Sequence, residues 1–222
     1  VVESAGTRLL IDSPPELRLQ LLAAGIHDLD AVVYTHEHAD HTHGIDDLRA
    51  ISVRRPGGLP IFGAPETLAA LATRFPYIFD DAIQPLPGTS KPEGVARPLL
   101  PGAVTRIGAL DLLPFEVPHG TQRVLGFRIG SLGYVTDAKA LPEAAFAALA
   151  GVRVLVLNAL FRTTHPTHLS IDEAVAAAQR IGAAQTFLTH LTHRTGHAEL
   201  AASLPDGITP AHDGLTVEID PA

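Results

Sequence analysis

Short runs of apolar, often β-branched residues alternate along the chain with longer stretches whose leucines and alanines recur at helical spacing. "TRLLID" predicts a strand ending at Asp12. "SPPELRLQLLAAG" then predicts a helix, with Ser13 as its cap, Pro14 and Pro15 near the first turn and Gly25 at its stop. Leu17, Leu21 and Leu22 are expected on one face of it. "DAVVYT" is too short for a helix and reads as a buried strand. "IDDLRAISV" and "PETLAALATRF" read as helices separated by a short strand, "PIFG". Residues 80–102 are rich in proline and glycine and are expected to form a surface loop or flap, with Tyr77 and Phe79 at its base.

Beyond that loop, "VTRIGALDLLPFEV" and "VLGFRIGSLGYVT" predict an antiparallel meander with glycine turns. "PEAAFAALAG" reads as a helix and "RVLVLNAL" as a buried strand. "SIDEAVAAAQRIGA" predicts a helix capped by Ser170, with Glu173 completing a capping box. "QTFLTH" is expected as a strand, "HAELAASL" as a short helix and "LTVEID" as a last strand. No repeat of fixed short period occurs. This alternation predicts an α/β (α+β) chain whose sheets are covered by helices and whose ligands sit at strand ends. Residues 1–222 are expected to form a single domain.

Composition narrows the class. At 222 residues, 46% hydrophobic and 18% charged, the chain is globular and can bury a substantial core. It starts at Val1, almost inside a strand, so an N-terminal strand segment is expected to precede these residues. No apolar run reaches membrane-span length and no secretory signal opens the sequence, which makes cytoplasm the default expectation. With 0 cysteines, disulfides and thiolate ligands are excluded within it. A net charge of −8 argues against a general nucleic-acid binder, which needs a basic surface. The feature that bears on function is 12 histidines against 3 tyrosines and no tryptophan.

Four of those histidines lie in "YTHEHADHTHG", residues 34–44. His36, His38, Asp40 and His41 follow a strand ending near Thr35, and imidazole and carboxylate are good ligands for zinc, iron or manganese. So many donors in six positions crowd a single ion, and two ions are the more natural arrangement. His119, Asp137 and His190 repeat the signature, each an imidazole or carboxylate at the end of a predicted strand. Glu37 is expected to point away.

The H-x-H-x-D-H pattern met by His36, His38, Asp40 and His41 resembles the signature of the metallo-β-lactamase-fold hydrolase superfamily. "THEHADHTHGIDDLRAI", "LGFRIGSLGYVTDAK" and "HPTHLSIDEAV" are similar to its phosphoribosyl cyclic phosphodiesterase-like branch, known from phosphonate breakdown. The resemblance implies a four-layer αββα sandwich of two facing mixed sheets flanked by helices. It implies that His36, His38 and His119 hold one ion, that Asp40, His41 and His190 hold another, and that Asp137 bridges them. Asp12 is implied as the brace of the metal loop. Members of that branch often begin with a glycine-rich segment carrying cysteines, some of which bind a structural zinc; none precedes Val1 in these residues, as expected from either truncation or absence.

His168 precedes the helix starting near Ser170, where unbonded N–H groups favour an anion. By the resemblance it touches the scissile phosphate or protonates the leaving group. His165 competes for that role, and a helix-entry residue bonding the backbone is the structural alternative. His193 and His197 are read either as orienting His190 or as surface residues. His27, His43 and His212 read as ordinary, and Arg123, Arg128 and Arg162 rank no higher than solvated arginines.

The expected activity is therefore hydrolysis of a small or cyclic phosphodiester by hydroxide held between two divalent ions, zinc before manganese or iron. Asp40, Asp137 and His168 are its catalytic residues. A thioester or lactone hydrolase, a mono-iron oxygenase and a non-catalytic metal-binding protein are the alternatives on the same fold. The expected partner is a small-molecule ester, without membrane or nucleic acid, in a chain open to forming a homodimer.

Overall fold

The computed structural model describes residues 1–219. Its contacts divide the chain into two compact units, one of residues 1–100 and 105–110, the other of residues 101–104 and those from Asp111 onward.

The first unit opens with β1 (Val2–Ser4) and β2 (Thr7–Ile11), followed by α1 (Leu17–Ala23), β3 (Ala31–Val33) and the four-residue α2 (Ala39–Thr42). A 3-10 turn over Ile45–Leu48 leads into α3 (Arg49–Ser52), then β4 (Leu59–Gly63), α4 (Pro65–Arg74), α5 (Pro76–Phe79), β5 (Gly94–Pro98) and the short β6 (Thr105–Ile107). The sheet runs β1-β2-β3-β4-β5, with β1 antiparallel to β2 and the other neighbours parallel. Leu10, Val32 and Ile61 from the strands pack with Leu17, Leu21, Leu68 and Leu71 from the helices.

Three expectations are corrected here. Ser13 does not cap α1, whose N-cap is Glu16; two prolines hold residues 14 and 15 outside the helix and delay its start. Leu22 leaves the buried face of Leu17 and Leu21 and is 59% exposed. The proline- and glycine-rich segment 80–102 is not all loop, because Gly94–Pro98 pairs in parallel with β4 as an edge strand. Proline is tolerated at an edge, where no further strand needs its N–H.

The second unit comprises β7 (Leu110–His119), β8 (Gln122–Ile129), β9 (Leu132–Val135), α6 (Glu143–Ala148), β10 (Val154–Asn158), α7 (Ile171–Ile181), β11 (Gln185–Thr189), α8 (His197–Ser203) and β12 (Ile208–Pro210). Its strands are ordered β12-β11-β10-β9-β8-β7. The meander β7-β8-β9 is antiparallel as expected, while β9, β10, β11 and β12 run parallel. Because β7 and β9 both oppose β8, the C-terminal ends of β7, β9, β10 and β11 emerge at one edge of the sheet.

Helix α7 is as predicted. Ser170 Oγ accepts from the Glu173 N–H, the Glu173 carboxylate accepts from the Ser170 N–H, and Gly182 closes the helix at φ 72°. Its Ile171, Ala174 and Ala178 face a core with Val135, Leu155, Leu157 and Leu188. The expected strand "LTVEID" does not form over residues 215–219, and Asp220 lies outside the described residues; among the described residues the last strand is β12 instead. Each sheet is mixed and carries helices, as the resemblance implies for each.

Candidate metal centre

In the first unit the donors gather at the C-terminal ends of two neighbouring parallel strands, β2 and β3. Asp12 follows β2 in the left-handed region, φ 59°, a conformation that Asp, Asn and His enter more readily than other side chains. Its Oδ1 accepts the Thr35 N–H at 2.8 Å, and its Oδ2 accepts the Thr35 hydroxyl at 2.8 Å and meets His41 Nδ1 at 2.8 Å. The expected brace is therefore in place.

These contacts fix protons. Thr35 has one hydroxyl proton, which goes to Asp12, so its oxygen accepts from His36 Nδ1 at 3.0 Å. In His36 and His41 alike the Nδ1 proton is held by an oxygen, which leaves Nε2 as the nitrogen to meet a metal, the arrangement that suits a ligating imidazole. The His36 ring centroid lies 4.5 Å from that of His38 and 4.3 Å from that of His41, and His41 Nε2 stands 3.4 Å from Asp40 Oδ2. Three imidazoles and a carboxylate thus share one small region. Asp40 is the outermost, with 62% of its side chain exposed.

In the second unit the donors line the common sheet edge. His119 ends β7, Asp137 lies just beyond β9 and His190 follows β11; Asp137 and His190 again have positive φ, 57° and 59°. Of the four non-glycine residues with positive φ among those described, Ala5 lies in the β1–β2 turn and the other three, Asp12, Asp137 and His190, stand at the ends of parallel strands, each costing about 1–2 kcal/mol.

The Asp137 carboxylate is buried and faces three imidazoles. His190 Nε2 is 3.1 Å from Oδ1, and His168 Nε2 and His119 Nε2 are 3.3 and 3.8 Å from Oδ2. His119 gives its Nδ1 proton to the Thr167 carbonyl at 3.0 Å, so Nε2 is the ring nitrogen that faces the carboxylate. A buried carboxylate ringed by imidazole nitrogens is matched by a proton on one of them or by a cation held between them. Tetrahedral zinc with bonds near 2.1 Å sets its donors about 3.4 Å apart, which these separations match. Donor atoms of Asp137, His168 and His190 all lie within 4.8 Å of one another.

Several supports were not foreseen from the sequence. Asn158, wholly buried at the end of β10, accepts the Ala138 N–H at 2.9 Å and donates to the Ala138 carbonyl at 3.1 Å, pinning the turn that holds Asp137. The Thr136 hydroxyl donates to Asp137 Oδ1 at 2.6 Å. An amide at the end of the apolar run "RVLVLNAL" was the available signal, since a buried amide must be bonded.

Of the two candidates in "HPTH", His168 faces Asp137. Its Nδ1 meets Thr167 Oγ1 at 2.8 Å rather than the backbone, and His165 stands behind, ring centroid 5.2 Å away. Desolvation, then the neighbouring His168 and Lys139, hold the His165 imidazole below its usual value. His197 does not orient His190; it meets the Pro210 carbonyl at 3.2 Å, and His193 is exposed. Arg128 bonds the carbonyls of Gly130, Ala148 and Ala150, and Arg162 bonds Ser203 at 2.8 Å. Tyr77 donates to Asp46 at 3.0 Å.

Comparison with known proteins gives this geometry a context. The family model described as a β-lactamase superfamily domain matches residues 7–191. An octanoyltransferase of Porphyromonas gingivalis (strain ATCC BAA-308 / W83) is 36% identical over 228 residues, 99% of this chain and 44% of its own length. A ribonuclease Z of Bradyrhizobium sp. (strain ORS 278) is 32% identical over 135 residues, 59% of this chain and 43% of its own. The chain thus spans less than half the length of these curated relatives. The crystal structure of a diphosphatase from the PhnP family matches with a TM-score of 0.88 and 35% identity, over 99% of this chain and 83% of that one.

Proposed function

The chain belongs to the metallo-β-lactamase-fold hydrolase superfamily, and from that membership we propose that it hydrolyses small phosphoric diesters or diphosphates at a dinuclear metal centre. One observation carries the reading: His190 and His119 turn Nε2 towards the buried Asp137 carboxylate at 3.1 and 3.8 Å. In this account residues 1–222 act as one domain. His36, His38 and His119 hold one ion, Asp40, His41 and His190 the other, and Asp137 both. Bound divalent cations, zinc first among them, supply Lewis-acid polarisation of a phosphoryl oxygen and lower the pKa of water.

The chain's own residues do the rest. Asp12 and the Thr167 carbonyl keep His41 and His119 in the Nδ1–H tautomer, so no reorganisation is needed when the site fills. Asp40, the exposed carboxylate, accepts the proton of the attacking water. His168, anchored at Nδ1 by Thr167, holds a proton at Nε2 for the leaving oxygen. A net charge of −8 favours a small ester over RNA.

The test is a substrate panel on the purified full chain: a cyclic phosphodiester, a diphosphate diester and an acyl thioester, with His38→Ala and Asp137→Ala beside the parent protein. Turnover of a phosphorus substrate that both substitutions abolish, in folded protein, is expected. Undiminished turnover in the variants rejects the reading. A second reading, thioester hydrolysis, is favoured by the similarity to a protein named as an octanoyltransferase, and preference for the thioester would select it.

A further inference from the structure

Ser13 and Tyr34 form a contact that neither the ligand set nor the Asp12 brace uses. Tyr34 is among the largest fully buried side chains and sits in the apolar core of the first unit with Leu10, Leu17 and Ile45. A phenylalanine fills the same ring space, so packing does not explain the hydroxyl. The Tyr34 phenol carries one proton that it can donate. Its oxygen lies 2.6 Å from Ser13 Oγ, and Ser13 Oγ lies 3.4 Å from the Thr42 carbonyl oxygen. A carbonyl only accepts and Ser13 has one hydroxyl proton, so the direction is set: Tyr34 donates to Ser13, and Ser13 donates to Thr42.

The Ser13 backbone adds two bonds to the same place. Its N–H donates to the His41 carbonyl at 2.7 Å, and its carbonyl accepts the Gly44 N–H at 2.8 Å. Helix α2 has only four residues, so its last carbonyls find no partner within the helix. Ser13, expected to open α1, instead caps the end of α2 from another part of the chain. The fit leaves no slack, because a Cβ on Gly44 would lie 2.1 Å from the Pro14 oxygen. Both Asp40 and His41 belong to α2, so wherever this seam holds the helix, it holds them.

We propose that the Ser13–Tyr34 pair is a positioning clamp that sets where α2 presents Asp40 and His41, and thereby the affinity of one metal ion of the two. The inference rests on the dinuclear reading above. Tyr34 and Ser13 touch neither substrate nor metal and act through α2.

The experiment compares the full chain with Tyr34→Phe, Ser13→Ala and the double variant. Zinc affinities are read by competition with a chromophoric chelator, thermal stability by Tm, and the His41 imidazole by its ring signals in 15N-labelled protein as isolated. Tyr34→Phe keeps the ring and therefore the core. The expected result is a fall of about ten- to a hundred-fold in one of two zinc affinities with the other little changed. The His41 signals broaden or shift, and the double variant loses no more than the worse single one, as a shared unit requires. An equal fall of both affinities together with Tm, or unchanged affinities and an unchanged His41 signal, overturns the clamp. If the parent chain takes up only one ion, the dinuclear reading falls by itself. The His41 signal then decides: broadening in Tyr34→Phe upholds the clamp and no change removes it.

Discussion

Asp12 Oδ2 meets His41 Nδ1 at 2.8 Å, and the same carboxylate takes both the N–H and the hydroxyl of Thr35. One residue in a left-handed conformation at the end of β2 therefore organises the loop after β3. Asp12→Ala leaves three buried donors without this acceptor. Each such loss costs about 1–3 kcal/mol, and the three share one site, so the expected destabilisation is about 3 kcal/mol. Urea unfolding measures it, and metal titration of the folded fraction should show affinity lowered about ten- to a hundred-fold.

Asn158→Leu tests the corresponding support in the second unit. Its amide makes both bonds to Ala138 at full burial, and leucine restores neither. A loss of about 1–3 kcal/mol is expected, with weaker metal binding because the Asp137 turn is released. Unchanged metal affinity with lowered stability would assign Asn158 to folding alone.

Gly120→Ala probes the carbonyl that orients His119. Gly120 has φ 60°, and a Cβ there would approach Thr167 Cγ2 at 2.9 Å. The strained conformation costs about 1–2 kcal/mol, and displacement of Thr167 disturbs the acceptor of the His119 Nδ1 proton. Denaturation and metal titration together read both effects. Ser170→Ala, which removes only the α7 cap, is the contrasting case: about 1 kcal/mol of stability lost, with metal affinity retained.

Much of this was legible in the sequence. The capping box at Ser170 and Glu173, the meander and the donors after β3 all rest on local chemistry, and local chemistry is what a sequence displays. The misreadings have a shared cause. "GVARP" lacks apolar alternation, yet β4 offers it an open edge; "LTVEID" has the alternation and finds no partner among the described residues. Pairing depends on what lies alongside. Ser13 caps α2 and not α1, beside which it stands in the sequence, because its partners Tyr34, His41 and Thr42 are distant in the chain.

His168 and His165 separate by leaving group. His168→Ala should lower turnover of an alkyl phosphodiester about 10²–10⁴-fold and that of a p-nitrophenyl ester far less, since nitrophenolate leaves without a proton. Metal content should hold. His165→Ala, one imidazole removed from Asp137, should have the smaller effect on both. Steady-state kinetics on the two substrates distinguishes a proton donor from a binding residue.

The central claim, a pair of divalent ions held by donors from separated strand ends, is met most directly by elemental analysis of the purified chain beside its His190→Ala and His36→Ala variants. Two equivalents of metal in the parent and a loss of about one in each folded variant is the predicted result. A parent chain that binds one equivalent or none when supplied with excess zinc, yet hydrolyses phosphodiesters at full rate, would contradict it.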